Sequence, residues 1–275
     1  MNQPCFWWRD VFPFKFVMET LGTMGQLAWP LESRELCIYW DDVPQRNAII
    51  TREELWKTVY PKRFHLKAVH FGYAYPEMAQ PVGRRDQREL NKMDVLPSRV
   101  PVVLDVDMDG KVQRSCKCAD DAFCETCWRE CIQERAVPLI EDFLENVMRL
   151  RMYFFVFSGR RGIHVWIMDP EVLEWTFMHR TTFMSLLKAH VKGAVKFDEA
   201  VTTQRNHTCK VPLGLHTSTH NFCHALERPR EFNPKVKVYH FTEATPEVVQ
   251  QSINFIESRV PYLSEKKSTN KKQRI

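Results

Sequence analysis

Two aspartates one residue apart inside an apolar run, Val102-Val103-Leu104-Asp105-Val106-Asp107, are the residues best placed for chemistry. Side chains alternate faces along a strand, so Asp105 and Asp107 emerge together while Val102, Leu104 and Val106 pack behind them. Two carboxylates held side by side repel one another unless cations sit between them. Asp198, just after Val195 and Phe197, offers a third, with Asp169 and Glu199 as weaker rivals. Three carboxylates can hold two divalent ions, one activating an attacking hydroxyl and the other stabilising a pyrophosphate leaving group. The run Ser158-Gly159-Arg160-Arg161-Gly162-Ile163-His164-Val165-Trp166-Ile167 supplies the complement. Its turn carries a hydroxyl, two glycines and two guanidinium groups, a set suited to cradling a triphosphate. His164 and Trp166 share one face of the strand that follows. Metal-assisted phosphoryl transfer is the chemistry this pairing implies.

Four cysteines, Cys116, Cys118, Cys124 and Cys127, fall in one short charged stretch as CxC followed by CxxC. Four thiolates at that spacing suit a closed tetrahedral zinc, hence a structural site. Asp105, Asp107, Asp109 and Gly110 imitate the opening of an EF-hand loop, but the twelfth position, where a bidentate Glu is required, is Cys116. The remaining cysteines, Cys5, Cys37, Cys131, Cys209 and Cys223, have no partner pattern, and nine cysteines fit a reducing compartment better than a disulfide framework.

The elements that must position these groups follow from periodicity. Aromatics at helical spacing open the chain at Phe6-Trp7-Trp8, and capping-box spacing at Thr51 to Glu54 predicts a short helix ending before Pro61. Residues 64–75 alternate as a strand, and the polar, proline-bounded stretch 80–98 reads as a surface loop. Residues 128–152 repeat apolar positions at helical spacing, with Pro138 a local distortion. Tyr153–Phe157 and Ile163–Met168 are short strands around the arginine turn, a helix follows over 171–190, a third strand carries Val195 to Asp198, and 246–259 is an amphipathic helix. One domain over residues 1–262 is expected, with a zinc-bearing insertion near 114–131. Residues 263–275 form a basic tail, solvated and disordered by composition. The chain has 275 residues and a formal net charge of +5, compatible with a polyanionic partner. No run is long and apolar enough to cross a bilayer, and the first residues lack the basic-then-apolar order of a secretory signal. An intracellular protein that is not secreted is expected, with no membrane partner.

Taken together, the aspartate pair, the cysteine cluster ending in Cys127-Trp128 and the Ser158-to-Trp166 run resemble the catalytic small subunit of archaeo-eukaryotic DNA primase. The likeness extends from Trp7-Trp8-Arg9-Asp10-Val11-Phe12-Pro13 to about His216. It implies the α/β primase fold, a mixed β-sheet flanked by helices with a small zinc-binding insertion. It further implies that Asp105, Asp107 and Asp198 bind two Mg²⁺ or Mn²⁺ ions and that the four cysteines hold structural Zn²⁺. Ser158, Arg160, Arg161 and His164 are similar to the family's nucleotide-binding motif, and Lys210 and His216 to a lysine and histidine that touch the incoming triphosphate. Arg34-Glu35 resembles a short Arg-Glu motif near the active site, and Arg46 a downstream arginine. The helical insertion that eukaryotic members carry between the His164 and Asp198 motifs is reduced here to room for one helix.

The implied function is template-directed synthesis of short RNA primers for DNA replication. The implied partners are nucleoside triphosphates, a single-stranded DNA template, a primase large subunit and a replicative DNA polymerase complex. The implied compartment is the nucleus in a eukaryote and the cytoplasm otherwise. Two other readings stand beside it: a primase-polymerase of repair or damage tolerance, and a zinc-containing nucleic-acid-binding scaffold that has lost activity. The retained carboxylates argue against the scaffold, because clustered like charges without a metal role only destabilise.

Overall fold

The computed structural model describes residues 6–27, 34–40, 44–47, 53, 55–74, 97–108, 124–205, 207–234 and 239–264. Among these, eight strands form two four-stranded sheets. The first joins β1 (Arg34–Tyr39), β2 (Pro44–Asn47), β3 (Ala68–Ala74) and β7 (Cys209–Lys210) in the order β2-β1-β3-β7. The second joins β4 (Val102–Asp107), β5 (Tyr153–Phe157), β6 (Gly162–Ile167) and β8 (Ala225–Leu226) in the order β4-β6-β5-β8. Every strand pairing is antiparallel, which corrects the expectation of a mixed sheet. The reason lies in the connections: β5 turns directly into β6 over four residues, too few for the crossover that a parallel pair requires.

The second sheet is covered on both faces, and strand alternation decides what each face meets. Val102, Leu104 and Val106 of β4, Tyr153, Phe155 and Phe157 of β5, and Ile163, Val165 and Ile167 of β6 point into one apolar core. That core is closed by the helical run α1 (residues 125–147) and by α2 (Phe177–Val191). Val103, Phe154, Val156 and Trp166 point the other way, into a second core built with Trp7, Trp8, Phe71 and Ile256, the last from α4 (Pro246–Arg259). Asp105, Asp107 and His164 belong by alternation to this second face, at the end of the sheet where apolar cover gives way.

The helical pattern predicted over 128–152 runs over 125–147, and Pro138 falls where the segment Trp128–Ala136 passes into Val137–Asp142. Residues 64–75 differ from expectation. Tyr60–His65 is a tight helical turn begun by Pro61, so the strand starts only at Ala68. For the same reason the helical turn at Leu55–Val59 does not end the local helix before Pro61. The expected strand at 195–198 is reduced to one bridge, Phe197 to Val106. Residue 80–96 and 265–275 expectations lie outside the described residues.

Candidate active site

β4 and β6 pair with Asp105 opposite His164 and Asp107 opposite Gly162. Asp105 and Asp107 are partly exposed, whereas their apolar neighbours Leu104 and Val106 are buried. Asp105 Oδ1 lies 3.7 Å from His164 Nε2, on the far side of which His164 Nδ1 meets Cys209 Sγ of β7 at 3.8 Å. Burial and the neighbouring Lys210 ammonium pull His164 down to about 3, against an opposing pull from Asp107, so the imidazole is neutral at pH 7. The edge strand of the first sheet thus sits over the carboxylate-bearing face of the second.

Asp198 reaches the same place by its backbone. Its N–H donates to the Asp105 carbonyl at 2.9 Å, beside the Phe197–Val106 bridge. Its carboxylate, however, accepts from Ala200 N–H at 3.2 Å and caps the short helix α3 (Glu199–Thr203). That preference is ordinary for an aspartate at a helix start. The structure brings Asp105 and Asp107 to one face and Asp198 to their side, but the third carboxylate is turned to its own helix. Among the described residues no set of three His, Cys, Asp or Glu side chains is gathered as a metal site. The rivals are engaged elsewhere: Asp169 accepts from the N–H groups of Arg151 and Met152 at 2.9 Å, and Glu199 pairs with Lys188 at 2.7 Å.

The donor set fits a hard divalent cation. Partly exposed carboxylate oxygens on a rigid strand are the ligand type that Mg²⁺ and Mn²⁺ select. Space beside them is kept by Gly162, where an added Cβ would lie 2.7 Å from Asp107 Oδ1.

The turn between β5 and β6 closes on itself. Ser158 N–H donates to Gly162 O at 2.9 Å, and Ser158 Oγ accepts from Gly162 N–H at 3.1 Å. The expected triphosphate-orienting hydroxyl is therefore buried and serves the turn. Gly159 adopts φ +92°, a conformation that favours glycine, and an added Cβ would meet His216 Cβ at 2.5 Å. Lys210 Nζ donates to Ser158 O at 3.1 Å. His216 is pushed down to about 3 by burial, Lys210, Arg160, His164 and His220 in that order. Burial is the main cause, and the nearby Lys210 and Arg160 charges add to it, placing fixed positive charge where a polyanion would be attracted. Arg160 and Arg161 are half-buried in the turn. Ser158, Arg160, His164, Lys210 and His216, scattered over 59 positions of sequence, are therefore neighbours.

Glu35 and Arg46 stand further off. Arg34 is buried, donates to Gly22 O at 2.6 Å and Gly72 O at 3.3 Å, and stacks over Phe71, so it ties β1 to β3. Glu35 lies across Gly72, whose Cβ position is 2.7 Å from Glu35 Oε2. One strand, β3, stands between Glu35 on β1 and Lys210 on β7. Arg46 pairs with Cys37 on the edge strand β2, and its side chain lies outside the described residues. Cys116 and Cys118 also lie outside them. Cys124 is the extended residue that precedes the first turn of α1, and Cys127 lies buried within that turn.

Residues that sequence reading passed over are Cys209 against His164, and Thr219 and Asn221 against the Gly159 carbonyl. Their contacts are long-range and leave no local pattern.

A model of the DNA primase small subunit family matches residues 104–193. The DNA primase small subunit of Methanothermobacter thermautotrophicus is 30% identical over 118 residues, 43% of this chain and 35% of that protein. The corresponding subunit of Schizosaccharomyces pombe is 28% identical over 169 residues (59% and 34%), and that of Saccharomyces cerevisiae 23% over 181 residues (64% and 41%). This chain thus spans well under half of each relative's length. The polymerase domain of ligase D from Mycobacterium tuberculosis, solved in complex with DNA, has a TM-score of 0.56 over 92% of this chain and 91% of that one. At 12% identity that likeness concerns the fold alone. Residues 104–193, which hold the aspartate pair, the CxxC and the arginine turn, are thus similar to DNA primase small subunits of archaea and eukaryotes.

Proposed function

We propose that this chain is a primase catalytic subunit that joins nucleotides on a single-stranded DNA template, making short RNA primers for replication. The observation that supports it most is the meeting of two opposite chemistries across one strand pair. Asp105 and Asp107 crowd negative charge on β4, and the turn leading into β6 gathers Arg160, Lys210 and His216. A nucleoside triphosphate with its divalent ions bridges such a pair of fields and relieves both.

In this reading Asp105 and Asp107, joined by Asp198, would hold two Mg²⁺ or Mn²⁺ ions. Those ions supply charge neutralisation at the α-phosphate and make the attacking hydroxyl more acidic. The chain's own groups do the rest. Arg160, Arg161, Lys210 and neutral His216 bind and orient the triphosphate, and fixed positive charge offsets what develops on the departing pyrophosphate. His164, held between Cys209 and Asp105, presents a neutral ring that donates without adding charge near the carboxylates. Asp198 holds the Ala200 N–H with Oδ1 alone, which leaves Oδ2 as the oxygen it would offer to a metal site.

The cysteine cluster, placed in sequence between the aspartate pair and the arginine turn, argues for a replicative subunit over a repair primase-polymerase. A large subunit and a replicative polymerase would be the protein partners. No described helix is long and apolar enough to cross a membrane. Incorporation of labelled ribonucleotides on single-stranded DNA with Mg²⁺ or Mn²⁺ tests the proposal; a protein that binds template but never extends would support the inactive-scaffold reading.

A further inference from the structure

The arginine turn is held from behind by a second loop, and the contacts converge on one carbonyl. Gly159 O accepts from Thr219 Oγ1 at 2.7 Å and from Asn221 Nδ2 at 2.9 Å. The same loop is fastened to His216: His216 N–H donates to Asn221 O at 2.9 Å, and His216 Nδ1 accepts from the N–H groups of Ser218 and Thr219, each at 3.3 Å. Thr219 Oγ1 also accepts from Asn221 N–H at 3.3 Å, so the two donors are fixed relative to one another. The carbonyl of Ser158, next in the turn, is taken by Lys210 Nζ at 3.1 Å and Cys223 Sγ at 3.3 Å.

An anion-binding turn works only if its carbonyl oxygens are kept away from the anion. Gly159, at φ +92°, lacks the side chain that would bias its peptide, and a glycine-rich turn relaxes readily among alternatives. We infer that Thr219 and Asn221 are positioning residues for the triphosphate. They hold the Gly159 carbonyl out of the anion site and lock the arginine turn to His216, so that both halves of the site are set before the nucleotide arrives. Preorganisation of this kind lowers the ordering cost at binding. The inference rests on the proposed function and deepens it.

Two donors share one acceptor, so losing either alone is partly compensated and the double change is the decisive one. Full-length Thr219→Val/Asn221→Ala, Thr219→Val and Thr219→Ser proteins would be titrated with inorganic tripolyphosphate and with ATP, both with Mg²⁺. Melting temperature and single-stranded DNA affinity would be followed in parallel. The expected result is about tenfold weaker binding of both ligands by the double variant. A smaller loss is expected for valine alone and wild-type binding for serine, with DNA affinity unchanged. In an extension assay KM should rise while kcat holds, as for lost uniform binding. Wild-type tripolyphosphate affinity in a folded double variant overturns the inference, as does an equal loss of DNA affinity. If the double variant does not fold, the valine–serine pair decides: equal binding by the two overturns it. Failure of the wild-type protein itself to bind triphosphate overturns the proposed function, and this inference with it.

Discussion

Asp107 and Gly162 face one another across β4 and β6, and a methyl group at Gly162 would lie 2.7 Å from Asp107 Oδ1 and 2.4 Å from the Val106 carbonyl. A side chain can rotate away; a strand carbonyl in a ladder cannot. Gly162→Ala should therefore destabilise the fold by about 1–3 kcal/mol and displace the Asp107 carboxylate, lowering nucleotide incorporation by more than the stability loss explains. Thermal denaturation and incorporation measured together check this; an alanine variant with wild-type values of both contradicts it.

The purified protein should hold one zinc that survives dialysis. Replacing Cys124 and Cys127 together by serine should release it and lower the melting temperature, because the energy of a structural zinc site is folding energy. Cys127 lies in the core beside Trp128, whose indole N–H donates to Phe232 O at 2.7 Å. Loss of the metal should thus loosen the contact between α1 and the 232 region. Elemental analysis finding no zinc in the wild-type protein counts against the assignment.

Arg161→Ala and His216→Ala should each weaken nucleoside triphosphate binding by roughly 1.5–3 kcal/mol, the value of a hydrogen bond to a charged partner. Template affinity should barely change. If both variants lose DNA binding in equal measure, these residues contact the template and the nucleotide assignment is wrong.

His224 gives the fold an acid weakness away from the active site. It is buried among Phe157, Phe222, Phe232 and Tyr239, and burial pulls it down to about 4 despite the hydrogen bond to the Phe222 carbonyl. A histidine with a depressed folded-state value binds its proton first in the unfolded chain. Stability is therefore unaffected above pH 6.5 and falls as pH drops from there toward 4. His224→Phe should remove about 2 kcal/mol of the loss between pH 7 and pH 5. Part of the slope remains, because His164 and His216 are depressed too. Urea denaturation at the two pH values measures it; an unchanged slope in the phenylalanine variant refutes the role of His224.

What could be read from the sequence was what depends on near neighbours. Alternation placed Asp105 and Asp107 together, the hairpin around Arg160 and Arg161 formed as expected, and the helix over Pro246–Arg259 has the predicted bounds. The same local logic failed at the start of the 64–75 span, where the proline-initiated turn Tyr60–His65 delays the strand to Ala68. It also overestimated the strand before Asp198, because a segment without a continuous partner becomes a bridge and a cap. The roles of Thr219 and Asn221 were illegible: they are set by a carbonyl some sixty residues away, and a polar loop has no period to betray it. Lys210 and His216 were found through resemblance, since nothing in their local sequence marks them.

If the β4 carboxylates carry nucleotidyl transfer, their negative charge is what the reaction requires. Asp107→Asn keeps size and shape but removes the charge that would hold a divalent ion. Relief of like-charge repulsion with Asp105 should leave the metal-free protein at least as stable. The decisive measurement is labelled ribonucleotide incorporation on single-stranded DNA with Mg²⁺ or Mn²⁺, wild type against Asp107→Asn, with melting temperature and zinc content recorded for both. Synthesis by the wild type is expected, with loss of at least about a thousandfold in the variant, comparable to removing a principal catalytic group, and with fold and zinc intact. Incorporation by the folded variant at the wild-type rate would contradict the role given to Asp107.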